Sequence, residues 1–435
     1  MQRTTREGRW VYVLLFFLFM LFHQFDVGLL NPVIDQISIT FNVHKNQLQP
    51  VFTLAVWVGA AFFLVWGWGY DRFNRKYLLI YAGFIWGATS LLIGISPTFV
   101  TFSVSYVLSA IDNAAYSGIF SMISDLFNPR HRGKIFGLLH TSQPFALLGG
   151  ILLTNILNEN TNWRLMLLGA GLIPFVIILL VFITVKEPKR GESEPAMQGV
   201  KISGIYLLDG ERIKGLFKRR GLILLFIVGL FAIMPWTAIL TWMISYLQTL
   251  HGFTTEEIYF ILFPALTALT LGYPIGGLIG DRYFKVSRNG RVITSLIGIA
   301  FSIIFLLLSF LTASVQGPLF VMLMTFTGLF MAVERPNVIA MVFDMTLPEL
   351  RSTSMSIMML FQLIGSFLGP ILVGYLMPFM GLGHALSWVC TGAWGISLAL
   401  LVGVYRFMPG EIEWLRKQMA YRSQLERQMQ MQEVE

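Results

Sequence analysis

The chain alternates long apolar runs with short polar loops. No charged residue lies between Val51 and Trp66 or between Tyr77 and Ile111, whereas residues 67–76 combine glycine with paired charges. A run of about 20 apolar residues crosses the hydrocarbon core of a bilayer as a helix, and charge confined to the intervening loops is typical of successive crossings. We therefore predict an all-α integral membrane protein with twelve transmembrane helices. The predicted spans are 10–34, 49–70, 77–96, 99–126, 134–157, 163–185, 222–248, 256–280, 291–312, 317–345, 353–380 and 383–406.

The two halves of the chain share two sequence patterns in the same order. Residues 67–72 and 277–282 both have the pattern Gly-x-x-x-Asp-Arg, and residues 125–132 and 344–351 both have Asp-x-x-x-Pro-x-x-Arg. The spans therefore fall into two related sets of six, as in proteins built from internal repeats. We expect an N-terminal six-helix bundle at 1–185, a cytoplasmic linker at 186–221, a C-terminal six-helix bundle at 222–407 and a cytoplasmic tail at 408–435.

Composition and charge agree with a membrane protein. Of the 435 residues, 55% are hydrophobic and only 12% are charged, about half the charged share of a soluble domain. Of the 31 Lys and Arg residues, all but Lys45, Arg164 and Arg335 fall in the N-terminus, the tail or loops that follow even-numbered spans. This bias predicts that both termini are cytoplasmic, and it explains the net charge of +8 without a nucleic-acid partner. We expect a multi-pass protein of the plasma or inner membrane.

Two polar segments lie outside the spans. The linker places apolar residues beside Lys and Arg, a pattern that fits either a segment lying on the inner leaflet or an ordinary basic linker. The charged tail after Pro409 is expected to form a solvated helix.

Sequence signatures of catalysis and of cofactor binding are missing. The chain has no G-x-x-x-x-G-K-[ST] phosphate loop, so an ATP-driven pump is not expected. Its six His and the lone Cys390 show no metal-ligand spacing, and one cysteine cannot form an internal disulfide. We therefore expect no catalytic residue, no metal and no cofactor, and a protein that is not an enzyme.

The segment 67–76, GWGYDRFNRK, resembles the loop signature between spans two and three of the major facilitator superfamily. Gly67, Asp71, Arg72, Arg75 and Lys76 stand at the matching positions. The resemblance implies a secondary transporter with two six-helix bundles and a central cavity lined chiefly by spans 1, 4, 7 and 10. It also implies alternating access by rocking of the bundles.

The same resemblance implies a set of gating residues. In such proteins the loop aspartate and its basic neighbours close the cytoplasmic side by bonding to nearby helix ends, so Asp71, Arg75 and Asp125 are expected to form a clasp. For Asp125 and Asp344, near the ends of their spans, gating or structural pairing is favoured. The full gating set is Gly67, Asp71, Arg72, Arg75, Asp125, Asp281, Arg282 and Asp344.

A closer resemblance is to the spinster branch, carriers of lysophospholipids and sphingoid lipids. It rests on Asn74, on an acid midway along span four within residues 110–116, and on residues 335–356. One departure is Val27, which stands where that branch has an arginine after the span-one aspartate. The resemblance implies an amphipathic lipid substrate, and a drug or an organic anion is the alternative.

Four ionisable residues lie inside predicted spans that the resemblance assigns to the cavity. Such groups cost roughly 3 kcal/mol on insertion scales unless they face a cavity or a partner, so they mark functional sites by default. The candidate substrate and proton site adds polar neighbours and comprises Asp26, Asp112, Asn113, Tyr116, Glu334, Arg335 and Asn337. The alternative is that Arg335 neutralises one acid and the others are packing groups. His23 and His140 are interpreted as core histidines.

Two classes of function stay open. The first is a monomeric secondary transporter that moves a small or amphipathic solute together with protons, with that solute and membrane lipids as its partners. The second is a non-transporting sensor on the same fold. Acids at mid-membrane favour the transporter, because a sensor needs no titratable group there. Aromatic residues such as Phe25, Trp236 and Trp242 would suit an amphipathic ligand.

Overall fold

The computed structural model describes residues 6–30, 33–156, 162–197, 210–312 and 317–432. Helices account for most of these residues, and the described ranges contain no strand. Ten of the helices are long and apolar enough to cross a membrane. Many large apolar side chains on their outer faces are exposed, as expected for contact with lipid, and Trp57 and Phe182 are examples. The prediction of an all-α integral membrane protein is confirmed.

The helices before the linker are α1 Arg6–Leu29, α2 Ile34–Phe41, α3 Lys45–Arg72, α4 Arg75–Ile95, α5 Phe99–Ser109, α6 Tyr116–Leu126, α7 Arg132–His140, α8 Ser142–Ile156 and α9 Trp163–Thr184. The linker contains α10 Gly210–Leu216, and the helices that follow are α11 Arg220–His251, α12 Thr255–Val286, α13 Gly290–Leu311, α14 Pro318–Asp344, α15 Arg351–Met380 and α16 Leu382–Gln432.

Two of the predicted spans are interrupted helices. Span four consists of α5, a 3₁₀ turn over Ala110–Ala114 and α6, while span five consists of α7 and α8. With the ten continuous crossings, these give the twelve spans that the sequence predicted. The 3₁₀ turn contains Asp112, so the break in span four lies at one of the candidate acids.

The described residues pack into two compact units. Unit 1 comprises Met1–Leu126 and Ser142–Arg190, and unit 2 comprises Phe127–Thr141 and Gly191–Glu435. In unit 1, α4 packs along α9, and α1 packs against α8 and α9. In unit 2, α14 packs between α12 and α13, and α11 packs against α15 and α16. The short helix α7 packs against α12 and α14.

Glycines allow the helices of unit 2 to approach closely. A Cβ atom at Gly272 would lie 2.3 Å from the Leu329 carbonyl oxygen, and one at Gly276 would lie 2.5 Å from the Val333 Cα atom. Spaced four apart on one face of α12, these residues bring α12 and α14 into backbone contact. Gly277, on another face, would place a Cβ atom 2.1 Å from the Gly133 carbonyl oxygen of α7. The candidate residues of α14 are thus held against α12.

Two local features near the end of span one differ from the sequence expectation. Helix α1 ends at Leu29, before the end predicted for span one, and Pro32 explains why, since the residue before a proline disfavours helix. A short helix, α2, then follows and was not predicted.

The inner-leaflet interpretation of the linker rested on Ile205, Leu208, Ile213, Leu216 and Phe217. The first two lie outside the described residues, Leu216 is buried in the hydrophobic core of unit 2, and Phe217 is exposed.

The tail is helical, but the expectation that it is solvated is only partly right. Helix α16 continues without interruption from span twelve to Gln432. Its side chains at Ile412, Leu415 and Met419 are buried and belong to the hydrophobic core of unit 2. Their spacing of three and four residues makes one apolar stripe along the helix, and the remaining face carries the charges.

Candidate functional site

Two of the candidate residues of unit 1, Asp112 and Tyr116, contact His23. The His23 Nε2 atom lies 2.9 Å from a carboxylate oxygen of Asp112, and its Nδ1 atom lies 2.7 Å from the Tyr116 hydroxyl. The Gln24 amide donates to the same hydroxyl over 3.1 Å. The 3₁₀ turn between α5 and α6 places Asp112 and Tyr116 on either side of the imidazole. We call these residues, with Asp26, the His23 cluster.

Asp26 lies one helical turn beyond His23 on α1. Its Oδ2 atom accepts hydrogen bonds from the Trp86 indole N–H at 2.8 Å and from the Ser90 hydroxyl at 2.6 Å, both on α4. Its Oδ1 atom is buried and has no hydrogen-bond partner among the described residues. The Trp86 ring also packs edge-on against the His23 ring, with centroids 5.1 Å apart. Asp26 and the imidazole thus share one wall of aromatic side chains.

Asn113 stands apart from this cluster. It is half-buried in the 3₁₀ turn, and its amide nitrogen lies 3.6 Å from where a Cβ atom at Gly59 of α3 would be. The structure therefore places Asn113 against α3, while its neighbours Asp112 and Tyr116 face α1.

Glu334 and Arg335 line a pocket inside unit 2. The pocket is small and partly open to solvent. Helix α14 supplies the two charged residues, α12 supplies Tyr273 and α15 supplies Gln362. The apolar part of the wall consists of Gly229, Ala232, Ile233, Trp236, Met331 and Val338. An acid, a base, a phenol and an amide therefore face the same small space.

Asn337 does not line this pocket. It is fully buried, and its amide donates to the carbonyl oxygens of Gly276 at 2.9 Å and Val333 at 2.8 Å. These bonds join α14 to α12 and also satisfy one carbonyl of its own helix, so in this structure Asn337 connects two helices.

Of the gating candidates of unit 1, Asp125 pairs with Arg75, the first residue of α4. Its guanidinium donates to Asp125 at 2.6 Å, to Ser121 at 3.0 Å and to the linker residue Glu187 at 2.8 Å. Arg75 is fully buried, so a guanidinium with five donors meets several acceptors away from water. Helix α4 begins here because Asn74 caps it, accepting a hydrogen bond from the Tyr77 backbone N–H.

Asp71 pairs with a different arginine. Its carboxylate lies 3.7 Å from Arg190, which also donates to the carbonyl oxygens of Tyr70 and Phe73 at the end of α3. Gly67 is buried within α3. Arg72 is exposed and lies over the Trp68 ring, 5.4 Å from its centroid.

The gating candidates of unit 2 form a corresponding network around Asp281. Its two carboxylate oxygens accept from the backbone N–H groups of Gly133 at 3.0 Å and Lys134 at 2.9 Å. These N–H groups belong to the first turn of α7, where a carboxylate also gains from the helix dipole. Arg291 pairs with Asp281 at 2.7 Å and with Asp344. Arg282 is exposed.

Glu194, a linker residue, is the acid that joins two buried arginines of unit 2. Arg132 donates to its carboxylate at 2.5 Å, and Arg351 donates to the same oxygen atom. Burial alone would raise the pKa of Glu194 above its ordinary value of 4.5, but the two guanidinium groups lower it to about 2. Arg132 also lies 3.5 Å from Asp344. The two related Asp-x-x-x-Pro-x-x-Arg segments therefore meet at one linker carboxylate.

Sequence reasoning missed His23, Glu187, Arg190 and Glu194. His23 precedes Asp26 by three residues, so the two share a helix face, and this spacing could have marked the histidine. The linker acids were hidden by their surroundings, because KEPKRGESEP has the composition of an ordinary solvated segment. No group of three His, Cys, Asp or Glu side chains able to hold a metal occurs in the part of the chain that the structure describes.

The sequence profile of the Major Facilitator Superfamily matches residues 16–316 and 265–422. The probable sulfoacetate transporter SauU of Cupriavidus necator is 24% identical over 65% of this chain and 67% of its own length. The probable galactarate/D-glucarate transporter GudP of Bacillus subtilis is 24% identical over 91% of this chain and 92% of its own. The protein spinster of Drosophila melanogaster is 30% identical over 38% of this chain and 27% of its own.

Solved structures show the same fold. The E. coli fucose:proton symporter FucP superposes with a TM-score of 0.70 at 12% identity, over 91% of this chain and 99% of its own. A bacterial homologue of the human lysosomal transporter spinster, in an inward-facing conformation, superposes with a TM-score of 0.55 at 17% identity, over 96% of this chain and 99% of its own.

Proposed function

We propose a function from one premise, which the profile match establishes: the chain belongs to the Major Facilitator Superfamily. The proteins it resembles are transporters, and this chain is likewise a secondary transporter and not an enzyme. Our proposal is that it couples the movement of a small or amphipathic organic solute to protons. The bundles at 1–185 and 222–407 would rock about the linker to give alternating access.

The observation that carries proton coupling is the His23 cluster. Inside the spans, Asp112 bonds the His23 imidazole, and Asp26 lies one turn beyond His23 on the same helix. One Asp26 oxygen has no partner among the described residues. A carboxylate removed from water without full hydrogen bonding tends to be neutralised. A cycle that alternately buries and opens this network would therefore take up and release a proton, since each step changes the solvation of the acids.

The test uses amide variants of the three acids, Asp26→Asn, Asp112→Asn and Glu334→Gln, in proteoliposomes. We expect at least one to lose solute-driven proton movement while solute exchange continues, because exchange needs no net proton transfer. Glu192→Gln, an exposed loop acid, is the matched control and should keep proton movement. If all three variants keep it with an unchanged pH dependence, proton coupling does not depend on these acids. A parent protein that moves solute without moving protons would be a uniporter.

Two substrate classes have support. The spinster resemblance and the match to protein spinster favour an amphipathic lipid of the lysophospholipid or sphingoid kind. An organic anion is favoured by Arg335 in the unit 2 pocket and by relatives named for sulfoacetate and galactarate/D-glucarate. A flux panel of lysolipids, dicarboxylates and neutral sugars in the same liposomes separates the two. Movement of the sugars alone would exclude both.

We further propose that the networks around Arg75, Asp71 and Asp281 gate the cytoplasmic side. Each joins a carboxylate near the end of a helix to an arginine or to a helix N-terminus. Such contacts can form in one state of a rocking cycle and break in the other, which is what a gate requires.

A further inference from the structure

We infer that the pocket of unit 2 binds a solute by two adjacent polar groups: an acidic group that pairs with Arg335, and a hydroxyl or ammonium group that donates a hydrogen bond to Glu334. The inference rests on the transport function proposed above and specifies the substrate class of that site. The chemistry is that of an acid flanked by a hydrogen-bond donor. Either a free small molecule or the headgroup of a lysolipid can present it.

The buried carboxylate of Glu334 has no hydrogen-bond donor among the described residues, and this points to a ligand that supplies one. The residue is only 7% exposed and lines the pocket, and no hydrogen bond to its carboxylate is found within the described residues. A buried carboxylate without a donor is costly, so such groups in proteins are normally paired. A solute that brings a donor into the pocket removes this cost, whereas a solute without one leaves it in place.

Arg335 supplies the contact for the acidic group of the solute. Consecutive residues on a helix point about 100° apart, yet both Glu334 and Arg335 line this pocket, so their charges face one space from neighbouring directions. Arg335 lies beside Tyr273, and a guanidinium has five N–H donors, enough to hold a phenol and an anion together. Its planar fork matches a carboxylate or a phosphate.

The charges of the pocket limit the class of solute that it can bind. One acid and one base make the pocket close to neutral, so a bare dianion would meet Arg335 and be repelled by Glu334. A solute that carries an acidic group next to a hydrogen-bond donor is complementary to Arg335 and Glu334. Trp236 and Met331 form an apolar wall for the adjoining carbon chain. The pocket is small and partly open, so a long acyl chain would extend beyond it.

The experiment is a binding assay by isothermal titration on the purified full-length protein, which does not depend on transport. Glycerate is compared with propionate, and phosphoethanolamine with ethyl phosphate, so that each pair differs in the donor. We expect the donor-bearing member to bind about tenfold more tightly, as a hydrogen bond to a charged group permits. Lysophosphatidylethanolamine is a further arm: tight binding of it with no binding of phosphoethanolamine identifies the lipid headgroup as the source.

Variants assign the two contacts. Glu334→Gln should abolish the preference for the donor-bearing member of each pair, and Arg335→Gln should weaken all the acids at least tenfold. Arg335→Lys, which keeps the charge, should bind with intermediate affinity. Arg130→Gln, an exposed arginine of unit 2, is the control and should bind as the parent does.

The comparison of ligands on the unmodified protein keeps the inference testable even if a variant does not fold. Equal affinity within both pairs, or unchanged acid binding by Arg335→Gln, would overturn it. If the parent protein shows this binding pattern but moves solute without protons, the proposed coupling is wrong and the pocket assignment stands.

Discussion

At the scale of single residues, the sequence identified the charged side chains but not their partners. Asp26, Asp112, Glu334 and Arg335 stand out because apolar runs surround them. Their contacts depend on chain segments far apart: His23 reaches Asp112 across 89 positions, and no local pattern encodes such a pairing. Glu194 shows the same limit, because a buried carboxylate and a solvated one look alike in a polar linker.

Glu194 gives a prediction about acid stability. Its pKa is lowered from 4.5 to about 2 by Arg132 and Arg351, so its contribution is fully present above pH 4.5 and is lost as the pH falls through about 2. The lowering corresponds to roughly 3 kcal/mol. Glu194→Gln should therefore lower the thermal midpoint at neutral pH, and the difference from the parent should shrink as the pH falls below 4.5.

Thermal unfolding of the detergent-solubilised protein between pH 7 and pH 3 measures this. Glu192→Gln, two residues away and exposed, is the control and should follow the parent throughout. A Glu194→Gln difference that is constant over the whole range would show that the carboxylate does not depend on the two guanidinium groups.

At the scale of elements, the long apolar runs predicted the spans, because a run of about 20 apolar residues is enough to cross a bilayer as a helix. The breaks in spans four and five were not predicted. In span four the break coincides with Asp112 and Asn113, two residue types of low helix propensity. The buried stripe of the tail was also missed, since charged residues between Ile412 and Met419 conceal a spacing of three and four.

Helix α7 leads to a prediction about gating. The two backbone N–H groups that donate hydrogen bonds to Asp281 lie in the first turn of α7. A hydrogen bond to a charged group contributes roughly 1.5 to 3 kcal/mol. Asp281→Asn, and likewise Asp71→Asn, should slow transport about tenfold without loss of expression. Glu257→Gln, an exposed cap on its own helix α12, should transport at the parental rate. Parental transport by both aspartate variants would show that these contacts are structural and do not gate.

At the scale of the whole molecule, the internal repeat predicted twelve spans in two sets, because related segments fold alike. The Arg75–Asp125 pair of unit 1 and the Arg291–Asp344 pair of unit 2 illustrate this: each joins the start of one span to the end of the next. The repeat could not show that residues 127–141 pack within unit 2. That depends on glycine contacts between α7 and α12, which arise only in the folded chain.

Topology is the prediction that concerns the entire chain. The distribution of Lys and Arg predicts that both termini and the linker are cytoplasmic. Because the single native cysteine, Cys390, is buried, Glu192→Cys introduces one accessible thiol without further changes. An impermeant maleimide should label it only after the cells are opened. Strong labelling of intact cells would reverse the orientation, and the parent protein serves as the unlabelled control.

Helix α16 gives the experimenter a rigid handle. It has 51 residues, which at 1.5 Å each amounts to about 75 Å of helix, and every added residue turns whatever follows by about 100°. A soluble protein fused in helical continuation after Met431 would thus project in a direction chosen by counting alanines in the joint. A few such fusions, differing by single residues, would sample the full circle and provide the asymmetric mass that image alignment of a small membrane protein requires.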